Sequence, residues 1–330
     1  MKNILITGGA GYIGTNIAVK LLLKNYNVIV VDNFSNSKPT YINFLIQKYQ
    51  KQLRLFQLDI FDAEFENILS TQKIDCIIHL AGKKYVAESF IIPSEYQKQN
   101  VLMTKRILDL LSKYNINQLV FASSITVYGN PQNIPASEIE NLNPLSPYAK
   151  NKMDCEKLIF ERTNQNNFCA TILRLSNPVG ANTKFMLGDD AKNEKYQSIV
   201  PYIVSKIINE QELTFNGNNH STRDGTTIRD YIHIEDVANA FVSAVESRKS
   251  GFNVYNIGYG GQGSSVLEIL KCAEKLINKK AKYSFGAKRN GDISIFIANT
   301  NKAQKEINFE TKFNLDDIIK SQIIFTKNKK

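Results

Sequence analysis

The chain of 330 residues is 43% hydrophobic and 22% charged, with a net charge of +10. Such a chain can bury a full core, most simply in two lobes, which excludes disorder and a small disulfide-framed module. No apolar run approaches the ~18 residues that cross a bilayer, and the basic residues are scattered, so neither a membrane nor nucleic acid is an expected partner. Asn3 to Thr7 is a short apolar run of strand character, and Gly8-Gly9-Ala10-Gly11-Tyr12-Ile13-Gly14 follows at once. A helix is predicted from Thr15 to Lys24. Gly9, Gly11 and Gly14 satisfy G-x-G-x-x-G, while Gly8, Gly11 and Gly14 satisfy the wider G-x-x-G-x-x-G spacing. Strand, glycine loop and helix in that order make a dinucleotide site. The turn is tight, the backbone must approach a pyrophosphate closely, and the helix start offers it free N–H groups. Val28 to Val31 ends in Asp32, where an acid hydrogen-bonds the adenosine ribose and repels the extra phosphate of NADP. NAD is the expected cofactor.

Further apolar runs at Leu53–Leu58, Cys76–Leu80, Leu119–Ala122 and Ala170–Leu173 alternate with segments of helical length. That alternation predicts an α/β fold, a Rossmann-type doubly wound parallel sheet with ligands beyond the carboxyl ends of its strands. Asp59, Ala81-Gly82 and Ser123-Ser124 fall at such ends. Asp59 either meets adenine or caps a helix. Long helices are expected at Glu95–Tyr114 and Tyr148–Thr163. In the second, Tyr148 and Lys152 are four apart and share a face. A phenol with a free pKa of about 10 is a weak base until a neighbouring cation favours its ionised form. Lys152 supplies that cation, and Ser124 can hydrogen-bond the reacting oxygen. Together they suit removal of a proton from a sugar hydroxyl while a nicotinamide takes the hydride. Tyr202 and Lys206 repeat the spacing without a serine-tipped strand before them, and read as chance.

Beyond Asn177 the pattern loosens. Asn182 to Tyr196 reads as a long polar loop, functional or disordered, and Asn216 to Thr227 as a second polar stretch. Arg229-Asp230-Tyr231-Ile232-His233 then leads into an amphipathic helix, Glu235 to Arg248. Gly258 to Gly263 reads as a flexible turn and Lys327 to Lys330 as a frayed tail. His79, His220 and His233 have no partners at ligand spacing, so no metal is expected, and His79 reads as core. Cys76, Cys155, Cys169 and Cys272 show no C-x-x-C spacing and read as reduced, mostly buried thiols. With Met1 to Thr7 too short for a signal peptide, they point to the cytoplasm.

On these residues the chain resembles the UDP-galactose (UDP-glucose) 4-epimerases, extended short-chain dehydrogenase/reductases, over nearly its whole length. The resemblance is carried by TGGAGYIG at 7–14, VDNFSNSK at 31–38, LAGKK at 80–84, SSITVYG at 123–129 and SPYAKNK at 146–152. NPVGA at 177–181, DGTTIRDYIHIEDVA at 224–238 and the Arg289…Asp292 pair extend it. It implies that Ser124, Tyr148 and Lys152 are catalytic. It implies that NAD is held by Gly8, Gly11, Tyr12, Ile13, Gly14, Asp32, Asn33, Asn36, Ser37, Asp59, Ile60, Leu80, Ala81, Gly82, Lys84, Asn100 and Ser123, with Tyr148 and Lys152. The UDP-sugar would be held by Ser124, Asn177, Ile199, Asn216, Arg229, Tyr231, Arg289, Asp292 and Phe296. Residues 1–177 would form the dinucleotide-binding domain, with 228–249 packing back on it, and 178–330 a smaller mixed α/β domain for the UDP-sugar. The resemblance also implies a homodimer, its two long helices pairing with their copies in a four-helix bundle.

The implied reaction inverts C4 of a UDP-hexose, interconverting UDP-glucose and UDP-galactose for galactose metabolism or polysaccharide biosynthesis. Tyr148 takes the proton of the 4-hydroxyl as hydride passes to NAD, and the 4-keto sugar turns over and takes the hydride on its other face. Phe296, by resemblance, fills room that an N-acetyl group would need, which disfavours the alternative of a UDP-N-acetylglucosamine 4-epimerase. Leu175-Ser176, Gln197-Ser198-Ile199 and Ala122 depart from the family pattern and bear on sugar choice. A nucleotide-sugar 4,6-dehydratase is expected to carry an Asp-Glu pair where Ile125-Thr126 stands. A non-catalytic NAD-binding regulator is expected to have lost the tyrosine or the lysine.

Overall fold

The computed structural model describes residues 2–166, 168–189, 198–288 and 292–329. Seven strands form the central sheet: β1 (Asn3–Thr7), β2 (Asn27–Asp32), β3 (Leu53–Gln57), β4 (Cys76–His79), β5 (Gln118–Ser124), β6 (Cys169–Leu175) and β7 (Phe252–Ile257). All pairings are parallel, in the order β7-β6-β5-β4-β1-β2-β3. Side chains alternate across a strand, so Ile4 and Ile6 of β1 enter one core layer with Val28 and Val30, while Leu5 enters the other with Ile29 and Ile77. Helices cover both layers, as the apolar runs predict. Strand order reverses between β1 and β4, which opens a crevice at their carboxyl ends.

Several elements differ from the sequence expectation. The first helix spans Tyr12–Leu23, starting three residues before Thr15, because glycine at 14 allows the loop to wind directly into a turn. The segment Pro93–Lys113 is helical throughout but contains a π-turn at Gln97–Leu102. The helix expected to be amphipathic spans Ile234–Ser247 and is so: Glu235, Asn239 and Ser243 are half-buried along one side with Glu246 and Ser247 exposed, while its apolar residues pack on the sheet and the first helix and take the acidic Asp236 into the interior with them. The chain also returns to the main sheet beyond residue 249, since β7 pairs with β6 from Phe252↔Ala170 to Ile257↔Leu175. The first part of the expected long loop holds a short antiparallel pairing of Ala181–Asn182 with Leu187–Gly188, and its remainder, 190–196, lies outside the described residues.

Away from the sheet, the helices Ile199–Ile208, Val266–Ile277 and Leu315–Asn328 share a third core. Short strands are fitted around it: Ile228–Arg229 lies between Ser264–Ser265 and Ile295–Phe296, Tyr231–His233 pairs with Asn177–Val179, and Leu213–Asn216 with Tyr283–Gly286. Among the described residues no helix is long and apolar enough to cross a membrane. All four cysteines are free thiols, Cys76 and Cys155 buried.

His79 is 1% exposed, its ring nitrogens 2.7 Å from Thr7 Oγ1 and 3.2 Å from Thr104 Oγ1. Burial pushes its pKa down to about 3. An unfolded chain therefore takes up a proton at His79 near pH 6.5 that the fold refuses, so this contribution to stability is complete above pH 6.5 and is lost as pH falls toward 3. Urea unfolding should show about 2 kcal/mol less stability at pH 5 than at pH 7 from this group. His79→Gln should lose that much less than the parent protein, and equal losses in the two would refute the assignment.

Candidate active site

The glycine loop joins β1 to the first helix under tight constraint. Gly8 has φ +68°, and a Cβ there would meet the Ala81 backbone nitrogen at 2.8 Å. A Cβ on Gly14 would lie 2.5 Å from Gly9 Cα. Gly11 is the helix N-cap, with no side-chain cap and no acid in the first turn. The positive end of the helix is thus left for an anion, with Tyr12, Ile13 and Gly14 in its first turn. Behind the loop, Asp32 accepts the Ala10 N–H at 3.0 Å through one oxygen, and the Phe34 N–H at 2.9 Å and Ser37 hydroxyl at 2.8 Å through the other. Asn33 donates to Asp59 at 2.8 Å. Of the two readings of Asp59, the helix cap falls to Asp62 instead.

The next wall of the crevice follows β4. Leu80 N–H donates to the Thr7 carbonyl. Asn100, 2% exposed in the π-turn, brackets the following loop: it accepts from Lys83 N–H at 2.9 Å and donates to the Lys83 carbonyl at 3.2 Å. A Cβ on Gly82, at φ +146°, would collide with that Asn100 oxygen. Lys84 lies 5.3 Å from the Tyr85 ring centroid, Asn36 is exposed, and the Ile60 carbonyl accepts from Arg106 at 2.7 Å. An uncapped helix start, a loop whose one side chain is the buried Ala10 methyl and a carboxylate closing β2 fit a dinucleotide.

Beside this crevice, Ser146 accepts the Ala149 N–H at 3.2 Å and Pro147 opens the helix Pro147–Asn166, an N-terminal pattern that fixes where Tyr148 begins its turn. Lys152 is 7% exposed. Its ammonium donates to the Ala122 carbonyl at 2.8 Å and lies 4.7 Å from the Phe121 ring centroid and 6.0 Å from that of Tyr148. Burial lowers its pKa, opposed by Cys155 and Glu156. Burial likewise pushes the Tyr148 hydroxyl up to about 12, while a hydrogen bond with Ser124 pulls it down. Ser124 accepts the Thr126 N–H at 3.3 Å and the Thr126 hydroxyl at 3.0 Å. The Ser123 hydroxyl is engaged elsewhere, donating to Glu156 at 2.5 Å.

A second group gathers off the sheet edge. Asn177 is in register with Tyr231, and Arg229 with Phe296, while Arg229 pairs with Asp292 at 2.6 Å. Tyr231 is buried, which pushes its hydroxyl up to about 12. Ile199 opens its helix and Asn216 closes its strand in exposed surroundings. Phe296 is 3% exposed and stacked on Tyr128 at 6.0 Å between centroids, a packed position. Arg289 and Gln197 lie outside the described residues. Tyr202 serves structure, its hydroxyl accepting the Thr214 N–H at 2.9 Å.

Two features escape a reading of the sequence. Asp230, wholly buried, accepts the Tyr259 N–H at 2.8 Å, Gly260 N–H at 3.1 Å, Ala298 N–H at 3.2 Å and Ser176 hydroxyl at 3.2 Å. Burial pushes its carboxyl up to about 6. The glycine turn after β7 is therefore pinned at Tyr259–Gly260 rather than flexible. The other feature is a buried ion pair between Arg174 and Glu156. Its one trace in the sequence is an arginine interrupting the apolar run of β6. Among the described residues no group of His, Cys, Asp and Glu is placed to hold a metal ion.

The family model for the NAD dependent epimerase/dehydratase family matches residues 4–258. The chain belongs to that family. Within the epimerase/dehydratases, it is 36% identical over 320 residues to the UDP-glucose 4-epimerase of Bacillus subtilis (strain 168), covering 96% of this chain and 94% of that one. The crystal structure of UDP-glucose 4-epimerase from Bifidobacterium longum in complex with NAD+ and UDP matches with a TM-score of 0.93 at 35% identity, over 99% of each chain. The UDP-Glc/GlcNAc 4-epimerase from Campylobacter jejuni matches at 0.85 and 28% identity, again over 99% of each chain. As in its family, the cofactor is NAD. Adding one methyl group against the loop backbone should expel it: Gly14→Ala is expected to weaken dinucleotide retention by about tenfold to a hundredfold. Chromatography of the denatured, purified protein measures this, and undiminished NAD would contradict the cradle.

Proposed function

We propose that the protein is a NAD-dependent UDP-hexose 4-epimerase, interconverting UDP-glucose and UDP-galactose. The observation that carries this is the meeting of Tyr148, Lys152 and Ser124 at the carboxyl edge of the sheet, beside the dinucleotide crevice. The glycine loop, Asp32 with Asn33, and the Leu80–Lys84 segment hold NAD, which supplies reversible two-electron oxidation at C4. Tyr148 accepts the proton of the 4-hydroxyl and returns it after the 4-keto sugar has turned over. Ser124 hydrogen-bonds the oxygen on which charge changes. Burial holds Tyr148 protonated and the hydrogen bond with Ser124 opposes it, while the Lys152 ammonium, 6.0 Å from the tyrosine ring centroid, supplies the cation beside the ionised phenol that proton transfer would form. Asn177 and Arg229 take the UDP moiety, with Asp292 orienting the guanidinium.

The packed Phe296–Tyr128 stack supports preference for the plain hexoses over the N-acetylated pair. Thr126, whose hydroxyl is given to Ser124, stands where a dehydratase needs a carboxylate. The free thiols suit the cytoplasm. Purified enzyme without added NAD should convert UDP-glucose to UDP-galactose, faster than the N-acetylated pair. Tyr148→Phe should lower turnover by ~10² to 10⁴ with the fold kept, and Tyr202→Phe should leave it unchanged. Near-normal turnover of Tyr148→Phe would remove Tyr148 from the mechanism.

We further propose a homodimer. Phe90, Ile91, Leu102 and Phe160 are 58%, 65%, 49% and 48% exposed on or beside the segments Pro93–Lys113 and Pro147–Asn166. Such apolar surface is what a helix-to-helix interface covers. Light scattering should give twice the chain mass, and a monomer at micromolar concentration would overturn this reading.

A further inference from the structure

Tyr148, Lys152 and Glu156 form one row along the helix Pro147–Asn166, each four residues from the last. Glu156 and Arg174 are each 4% exposed. Arg174 Nε donates to Glu156 Oε1 at 3.0 Å and Nη2 to Oε2 at 2.6 Å, a two-pronged geometry that sets orientation as well as distance. Ser123, the register partner of Arg174 and the residue before Ser124, donates to the same carboxylate. On its other side, Arg174 Nη1 donates to the Tyr128 hydroxyl at 2.8 Å, and Tyr128 donates to Asn256 of β7 at 2.7 Å. One carboxylate on the helix is thereby tied to the ends of β5 and β6, and through Arg174 and Tyr128 to β7.

We propose that the Arg174–Glu156 pair positions the proton-transfer helix, fixing Tyr148 and Lys152 over the end of β5 and setting a negative charge one turn from the Lys152 ammonium. The proposal rests on the reading of Tyr148 and Lys152 as the reacting pair. A buried ion pair is a poor choice for stability alone, because an apolar pair of similar volume does as well. Its value is directional. The fork allows the helix one height and one rotation, whereas an apolar contact would tolerate slip. Charge adds to this, since Glu156 favours the charged form of Lys152 against its burial.

Glu156→Gln keeps the shape and removes the charge. If that variant folds poorly because Arg174 is left unpaired, Glu156→Gln/Arg174→Met removes both charges. Both are compared with the parent NAD-loaded enzyme in three measurements: the lysine 13Cε NMR titration, with Lys152 assigned by its loss in Lys152→Met; kcat and KM for UDP-galactose; and NAD content with melting temperature. In Glu156→Gln the Lys152 midpoint should fall by about half a pH unit or more. In both variants kcat should drop about tenfold or more with KM nearly unchanged, the pattern of lost transition-state positioning. NAD content should be retained. An unmoved Lys152 midpoint, or a kcat loss that only follows lost NAD and a lowered melting temperature, overturns the proposal. The titration needs no substrate. A shifted midpoint in a parent protein that epimerises nothing would uphold the electrostatic link and refute the epimerase reading instead.

Discussion

A lysine ammonium withdrawn from water is tolerable only where oxygens and ring faces replace its hydration. Lys152 meets that condition at one place, the end of β5, where the Ala122 carbonyl and the Phe121 ring receive it. Much of the site follows from this. The helix Pro147–Asn166 must lie against β5, and the tyrosine one turn earlier is carried toward Ser124 by the same rigid rod. The helix start, with Ser146 and Pro147, then determines which residue stands at that height. A lysine one position along would face away from the strand, so the four-residue spacing is a statement about geometry before it is one about chemistry.

The two ligand-facing regions are built on opposite electrostatic plans. Around the glycine loop there is an uncapped helix end and no side chain larger than the buried Ala10 methyl between Gly8 and Gly11, so backbone N–H groups present the positive field. Off the sheet edge, charge comes from side chains, with Arg229 held by Asp292 and the surrounding loops held by Asp230. The first plan tolerates almost no substitution because a Cβ on Gly8 or Gly14 would strike neighbouring backbone. The second allows its loops to vary so long as Asp230 has donors. The serine at 176 illustrates this, its hydroxyl joining the donors of Asp230.

The parts of this molecule visible in its sequence are those written in local periodicity. The apolar runs gave six of the seven sheet strands and the glycine loop gave the presence of the first helix, though not its start at Tyr12, because burial and phosphate approach each leave a local residue signature. What was hidden depends on partners far along the chain. Asp236 makes Ile234–Ser247 look solvent-facing, yet its carboxylate is buried, accepting the N–H groups of Lys312 and Phe313 at 3.0 and 3.2 Å. β7 is broken by Asn253 and Asn256 and shows neither an apolar run nor a strict alternation, and only its pairing with β6 reveals it as a sheet edge. His220, in a polar stretch, is 5% exposed beside Ser294. Arg174 and Glu156 carry no local sign of each other, since their meeting is decided by sheet order.

The burial of the first helix against Ile234–Ser247 has a consequence for how the molecule is made. Lys20 meets Glu235 at 2.8 Å, and Tyr12 donates to the Gly180 carbonyl at 2.7 Å. A ribosome adding about 5–20 residues per second needs roughly 10 to 40 s to travel from one partner of the Lys20–Glu235 pair to the other. Until then the face of the first helix that packs on Ile234–Ser247 has no cover from its own chain. The first helix is therefore completed late, only when a segment more than two hundred residues further along has been made to cover it.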